Sequence, residues 1–335
     1  MQIKKLVILT EGGKKFGFGH ITRCLSIVEY FVQHHVLIKF FVDGDDTISS
    51  ILSDYSFTLK DWLNDESFLK SINKSTFVLV DSLRVTDNKI QDIQKLDANI
   101  IYIDDEKRNN FLDKGFVLDW TILSDKKNYF LPKKNGVTYL LGSKYTPLRR
   151  AFKIQEKVLV SKKIQNILIS FGGSDIRNLT PRVLASLNKN YPHIKKSIVI
   201  GAGFENVDNI KLHQDKNTKL IFNADAQKMV SLMKTNDIAI SSGGQTLYEL
   251  AYVGLPTIAI LLVDNAREDT EGWAEAGFID YIGSFDDKNL IKKLITSVDF
   301  LNNKEIRQKM QLNANKFIDS NGGKLIVDTI MKSLG

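Results

Sequence analysis

The stretch IAISSGGQTLYELAYVGLPTIAI, residues 238–260, sets four small residues ahead of a helix-forming run that carries one carboxylate, Glu249. Residues 241–244 let backbone amides approach an anion, and a helix opening at Gln245 adds unpaired N–H groups and the positive end of its dipole. Glu249, one turn further in, can direct its carboxylate back toward that mouth. It would repel phosphate but accept two hydroxyl protons, the pattern a ribose diol presents. Phosphate at Ser242, Gly243, Gly244 and Gln245 with ribose at Glu249 describes a nucleotide site. Strand, glycine turn and helix also follow one another in α/β proteins with other ligands, so two further constellations have to support the reading.

The first is GFGHITRC, residues 17–24. Gly17 and Gly19 precede His20 and place its imidazole at or near a helix N-terminus. The dipole there disfavours a cation, so His20 tends toward a neutral imidazole able to act as a base, the alternative being a histidine that only caps a turn. Arg23, one turn on, either contacts an anion or lies on a solvated face. The second is Gly172, Gly173, Ser174 and Asp175, another glycine turn of phosphate-cradling type. Two strand-like runs, FVLVDS (77–82) and NIIYIDDE (99–106), end in Asp81, Asp104 and Asp105. Open α/β sheets bind ligands outside the carboxyl ends of their strands, which puts these carboxylates on one rim with His20. Metal binding is the rival reading for clustered aspartates, but no His or Cys joins them at ligand spacing. Neither a metal nor any other cofactor is expected.

These residues need elements to hold them. Residues 4–13 read as a strand and a glycine turn, and 17–32 as a helix with Ile21, Cys24, Leu25, Val28 and Phe31 on its buried face. Strands follow at 36–44, 57–62, 77–82 and 99–106, with a helix around 45–52. YLLGSKYTPLRRAF (139–152), with Arg149 and Arg150, closes the first half, and the lysine-rich 153–165 reads as a linker or edge helix. The pattern restarts with a strand at 166–171 and a helix opening near 179–181, with Thr180 as its cap and Pro181 in its first turn. Strands at 197–204 and 219–225 and a helix at 226–237 precede the 238–260 unit. Asn265 then ends a strand, a helix carries Trp273 and Ala276, and 289–334 is mostly amphipathic helix. Two successive α/β units result, with a ligand expected in the cleft between them.

Composition sets the bounds. A chain of 335 residues is long for one core. No apolar run reaches the roughly 18 residues of a membrane span, and MQIKKLVILTEGG reads as a first strand rather than a signal peptide. A single cysteine, Cys24, excludes an internal disulfide and suits a reducing cytoplasm. The net charge of +7 comes from scattered lysines, which favours anionic substrates over nucleic acid or an acidic membrane surface. No nucleic-acid partner and no stable membrane insertion are expected, and the oligomeric state stays open.

At GFGHITRC, then SFGGSD (170–175), then SSGGQTLYELAYVGLPTIAI followed by DNA (264–266), the sequence resembles the PseG-like UDP-sugar hydrolases of pseudaminic acid biosynthesis and their spore-coat polysaccharide relatives. That group is similar to the GT-B glycosyltransferase that adds N-acetylglucosamine in peptidoglycan synthesis. The resemblance runs from Ile3 to about Gly283 and takes in IDDE (103–106) and PLRRAF (147–152). It implies an α/β protein of GT-B fold, two Rossmann-like domains facing a central cleft. Residues 1–155 would carry the catalytic histidine, 156–320 would bind UDP, and 321–335 would form a C-terminal helix able to return to the first domain.

By the same resemblance His20 positions or deprotonates the water that attacks the sugar's anomeric carbon, and UDP leaves with inversion. Gly172, Gly173 and Ser174 lie beside the nucleotide and diphosphate, Ser242, Gly243, Gly244 and Gln245 face the diphosphate, and Glu249 the ribose. Gly17, Gly19 and Arg23 fall on the substrate, Asn265 near the sugar, and Asp81 and Asp105 on the sugar side. Two departures touch that side: Asp81–Ser82–Leu83 stands where the family has Asp–His–Tyr, and Asn265–Ala266 where it has Asn–Gln. A glycosyltransferase in which His20 deprotonates an acceptor hydroxyl shares this chemistry, and an exposed Phe16–Gly17–Phe18 would suit an acceptor on a membrane or glycan. A non-catalytic nucleotide-sugar binding module is the third class.

Overall fold

The computed structural model describes residues 4–105, 112–125, 136–153 and 158–333. It divides into two compact units, Met1–Arg149 together with Asn321–Gly335, and Arg150–Ser320. Glu106 of the IDDE run and the domain boundary expected at 155 lie outside the described residues.

The first unit contains β1 (Lys5–Gly12), α1 (Gly19–Phe31), β2 (Leu37–Gly44), β3 (Ser56–Leu59), β4 (Thr76–Asp81), α2 (Asp87–Gln94), β5 (Asn99–Ile103), β6 (Gly115–Asp119) and β7 (Val137–Leu141). All pair in parallel, in the order β3-β2-β1-β4-β5-β6-β7. A central parallel strand is covered on both faces, which is why β1 is buried from Leu6 to Gly12 and β4 along its whole length.

Three sequence expectations change here. The helix expected at 17–32 begins at Gly19, because Gly17, at φ +75°, accepts from Gly13 N at 3.0 Å and closes residues 13–17 into a loop. Its buried face includes Ile27 and Tyr30, and Leu25 is only half-buried. In place of a helix at 45–52 there is one 3₁₀ turn, Asp46–Ile48, capped by Asp45 accepting from Thr47 N; Ser49, Ser50 and Ser53 then offer the backbone competing partners.

The second unit contains β8 (Asn166–Ser170), α3 (Leu179–Asn190), β9 (Lys195–Ile200), α4 (Val207–Leu212), β10 (Thr218–Phe222), α5 (Ala226–Thr235) and β11 (Ile238–Ser242). It continues with α6 (Gln245–Val253), β12 (Thr257–Leu261), α7 (Arg267–Glu275), β13 (Ile279–Ser284), α8 (Leu290–Leu301) and α9 (Lys304–Ala314). Its strands are again parallel, ordered β10-β9-β8-β11-β12-β13, over a core that includes Ile167, Ile169, Val183, Ile240, Ile258 and Leu294. The described parts of the expected linker, 153 and 158–165, are neither helix nor strand: Val158 N bonds Val253 O, and Arg307 Nη2 donates to Ser161 O at 2.9 Å. The last helix, α10 (Gly322–Lys332), packs on α1 in the first unit, where a Cβ on Gly323 would run into the Tyr30 ring.

Both sheets reverse direction once, between β1 and β4 and between β8 and β11. Crevices for ligands open at such reversal points, outside the carboxyl ends of the strands. His20 and Asp81 fall at the first of these points, and the 172–175 and 241–244 turns at the second.

Candidate active site

At the first reversal, β1 leads through the 13–18 loop into α1, and β4 ends beside it in Asp81, since Thr10 of β1 pairs in register with Asp81. His20, the second residue of α1, places Nδ1 2.8 Å from Asp81 Oδ1. Asp81 is fully buried, while the His20 side chain keeps 14% of its surface exposed. Arg23, one turn along α1, donates from Nε to Asp81 Oδ2 at 2.6 Å, from Nη2 to Asp81 Oδ1, and from Nη1 to Asp105 Oδ2. The Cys24 thiol lies 3.6 Å from Asp81 Oδ2.

The electrostatics follow from this packing. Burial by itself would raise the Asp81 carboxyl, but the charges and hydrogen bonds of Arg23 and His20 outweigh it and hold Asp81 well below the usual carboxylate range. Burial likewise opposes charge on Arg23, yet Asp105 and Asp81 keep its guanidinium protonated well above the ordinary value. The Cys24 thiol is pushed up by burial and then by the Asp81 charge. An ionised carboxylate only accepts, so the His20–Asp81 bond requires a proton on Nδ1; in a neutral imidazole Nε2 then carries the lone pair. Arg23 Nη2, 3.2 Å from Nδ1, is then a neighbouring donor to the same carboxylate. A histidine held against a buried acid in this way can be oriented to act as a base.

Several expectations about this rim are revised. Arg23 neither faces solvent nor presents a guanidinium to an outside anion; it is the cation between Asp81 and Asp105, with its guanidinium carbon 5.8 Å from the Trp120 ring. Asp81 lies beneath His20 at 0% exposure, and not on an open sugar side, whereas Asp105 keeps a third of its side chain exposed. Asp104 is fully buried. Phe18 is also buried, and Phe16 half-buried, so the pair is not the exposed patch the sequence indicated. Cβ atoms placed on Gly17 and Gly19 would meet nothing within 4 Å, so the backbone beside His20 borders open space.

At the second reversal, the turns after β8 and β11 stand side by side because those strands are paired, Ser170 opposite Ser241, and Ser241 Oγ donates to Ser170 O at 3.0 Å. Gly172 (φ +75°) and Gly244 (φ +106°) have conformations that favour glycine, and Cβ atoms there would also point into open space. Gly243 is tight: a Cβ would strike Thr270 Oγ1 and come 3.0 Å from Ala266 Cβ. Gly173 O accepts from Gly203 N at 2.9 Å, which ties the first turn to the one after β9. Ser174 and Ser242 are half-buried, Gln245 opens α6, and Glu249 lies in the second turn of α6 at 3% exposure.

Two details differ from the sequence reading. Thr180 does not cap α3; Asp175 does so, accepting from Leu179 N at 3.0 Å and Thr180 N at 2.8 Å, and burial raises its carboxyl. Asn265 does not end a strand. β12 stops at Leu261, and Asn265 sits in the 3₁₀ turn Asp264–Ala266 that leads into α7, against the Gly243 backbone.

Among the described residues no group of three or more His, Cys, Asp and Glu side chains is arranged to hold a metal ion, and no helix is long and apolar enough to cross a membrane.

With this geometry in view, comparison with known proteins defines the class. The fold is GT-B, two Rossmann-like units. It is shared with MurG of Acinetobacter baumannii at a TM-score of 0.62, 16% identity and coverage of 98% of this chain and 99% of that one. It is shared also with MnaA of S. aureus, solved with UDP, at a TM-score of 0.66, 11% identity and coverage of 99% and 97%. At these identities the likeness speaks for the fold alone.

Residues 166–320 match the glycosyltransferase family 28 C-terminal domain. An uncharacterized protein of Methanocaldococcus jannaschii is 29% identical over 275 residues, 79% of this chain and 57% of its own length. The spore coat polysaccharide biosynthesis protein SpsG of Bacillus subtilis is 26% identical, covering 81% of each chain. The pseudaminic acid cytidylyltransferase and UDP-2,4-diacetamido-2,4,6-trideoxy-β-L-altropyranose hydrolase of Helicobacter pylori is 25% identical over 74% of this chain and 43% of its own length. This chain therefore spans little more than half of the archaeal relative and less than half of the Helicobacter one.

Proposed function

We propose that this protein hydrolyses a UDP-activated amino-deoxy sugar by water attack at the anomeric carbon, with inversion. The observation that carries the proposal is the His20–Asp81 pair at the reversal point of the first sheet, 2.8 Å apart with Asp81 buried and ionised. Similarity to the Helicobacter protein, whose name includes a UDP-sugar hydrolase, supports this choice of substrate class.

In the proposed step His20 Nε2 takes a proton from water as the water oxygen bonds to the anomeric carbon. The carbon–oxygen bond to the β-phosphate breaks, and its electron pair leaves with UDP. The Asp81 carboxylate holds the Nδ1 proton and stabilises the imidazolium as it forms, while Arg23 and Asp105 hold Asp81. General-base assistance of this kind is worth about 10²–10⁴-fold in rate. Gly172, Gly173 and Ser174 would lie along the nucleotide and diphosphate, Ser242, Gly243, Gly244 and Gln245 at the diphosphate, Glu249 at the ribose, and Asn265 near the sugar. Glycine turns and the α6 N-terminus supply fixed positive dipoles for the leaving diphosphate, so the proposal does not call on a metal.

A second reading, transfer of the sugar to an acceptor hydroxyl that His20 would deprotonate, is favoured by the match of residues 166–320 to a glycosyltransferase domain. The test is release of free UDP from a panel of UDP-sugars, 2,4-diacetamido-trideoxyhexoses included, with no acceptor present. Rapid release from one donor that disappears in His20→Ala supports hydrolysis. Donor binding without release until an acceptor is added transfers support to the second reading.

A further inference from the structure

The loop that delivers His20 has little to hold it. Gly13, Gly17 and Gly19 bring no side chains, and its anchors are Lys14 N donating to Asp45 Oδ2 at 2.8 Å, the Gly13–Gly17 backbone bond and the buried Phe18 ring. Between them, Phe16 lies half-buried with the Arg84 guanidinium carbon 4.4 Å from its ring centroid. That guanidinium is itself fixed: Arg84 Nε lies 3.2 Å from Glu11 Oε1 at the end of β1, and Arg84 Nη2 donates to Asp43 at the end of β2. Ser82, just past β4, completes the circuit, accepting from Arg84 N at 3.0 Å and donating from Oγ to the buried Glu11 carboxylate.

We propose that Arg84 is a positioning residue for the reaction: it clasps the 13–18 loop through Phe16 and so fixes where His20 stands over the substrate. This rests on His20 being the base, as proposed above. The placement argues for more than a charge partner to Glu11. Ion pairs as exposed as this one, with 39% of the Arg84 side chain in solvent, contribute little to stability. The same guanidinium nevertheless joins the ends of β1 and β2 to the aromatic side chain on the open part of the loop. Lys15 Nζ, 4.8 Å from the same ring, comes from the loop itself and ties it to nothing outside. Ser82 stands at the second position of the Asp81–Ser82–Leu83 run, and Arg84 follows it directly.

The test compares wild type with Arg84→Ala, Arg84→Lys and Phe16→Ala, reading amide hydrogen exchange across residues 11–20 together with kcat, KM and UDP affinity. Phe16→Ala keeps both ion pairs, so it decides the matter if Arg84→Ala folds poorly. We expect exchange in residues 13–19 to rise about tenfold or more in Arg84→Ala and Phe16→Ala while β4 stays protected, as for a local opening. In both variants kcat should fall about 10–100-fold, the scale of a misplaced catalytic group, with KM and UDP affinity within about threefold; Arg84→Lys should recover part of the loss. Unchanged exchange at 13–19, or a rise spread evenly over the unit, would overturn the clasp. If wild type turns over no donor, the hydrolase reading fails, and the exchange pattern still decides whether the clasp exists.

Discussion

Replacing Asp81 by asparagine probes the whole first site. In the native protein Oδ1 accepts from His20 Nδ1 and from Arg23 Nη2, while Oδ2 accepts from Arg23 Nε and lies 3.6 Å from the Cys24 thiol. An amide has one acceptor oxygen and one NH₂ group. If the oxygen takes the Oδ1 position, the NH₂ faces Arg23 Nε, donor against donor. If it takes the Oδ2 position, the NH₂ faces Nδ1 and His20 must move its proton to Nε2, which removes the base. Either way a charge-assisted bond worth about 1.5–3 kcal/mol is lost, and Arg23 keeps Asp105 as its one carboxylate among the described residues. Breaking a buried pair outright costs about 3–5 kcal/mol; with Asp105 still in place we expect the lower end, about 3 kcal/mol. Turnover should fall about 10²–10⁴-fold, the range for losing an oriented base, with UDP affinity within a few-fold. Single-turnover kinetics well below the melting temperature, paired with UDP titration calorimetry, would measure both. A variant with kcat within threefold of wild type would refute Asp81 as the orienting acid. So would a loss of activity that merely follows the unfolded fraction.

Other outcomes follow from the same geometry. Glu249→Ala should weaken UDP by about 1–3 kcal/mol, the scale of a charged hydrogen bond, with folding intact; unchanged affinity by calorimetry would make the buried Glu249 a purely structural residue. Gly243→Ala should push Thr270 and the turn bearing Asn265 away from α6 and weaken UDP about tenfold or more, whereas Gly172→Ala, where a Cβ meets open space, should act only through its φ of +75°. Because the folded-state pKa of Asp81 is depressed, its contribution to stability is present above the unfolded carboxylate value of about 3.9 and is lost as pH falls through the folded value. Urea midpoints measured from pH 5 down to pH 2 should therefore fall more for wild type than for Asp81→Asn, and parallel curves would contradict the ionised, buried state. EDTA should leave turnover unchanged, and a loss restored by a divalent ion would reopen the aspartate rim as a metal site.

Much of this arrangement is written in local sequence. The runs that became β1, β4, β8, β11 and β12 are apolar because parallel strands are covered on both faces, and the glycine turns after β8 and β11 stand where chain reversal beside a ligand needs backbone without side chains. Partnership over distance is harder to see. His20 and Asp81 are 61 residues apart, and only the strand order, with β4 beside β1, brings them together. The doubly wound pattern of these sheets would have pointed to that pairing, since it sets the first and fourth strands at the reversal point. Arg23 reads in the sequence as an anion contact or a solvated residue because nothing nearby in sequence announces the two carboxylates that bury it. β6 (Gly115–Asp119) and α2 (Asp87–Gln94) were missed, the first for its brevity and the second because its helical face carries only Ile90 and Ile93. Trp120, over the Arg23 guanidinium, follows β6 and was lost with it. Thr180 resembled a cap by residue type, but the turn geometry gives that role to Asp175, four residues before the first helical amide it bonds.

The central claim is that water, activated by His20, attacks the sugar carbon. Turnover in water enriched in oxygen-18, with mass analysis of both products, tests it most directly. The account predicts one labelled oxygen in the released sugar and none in UDP, and no label in either product with His20→Ala. Label in the UDP would mean that the phosphorus–oxygen bond breaks instead, and it would contradict the assignment of His20 and Asp81 to attack at the anomeric carbon.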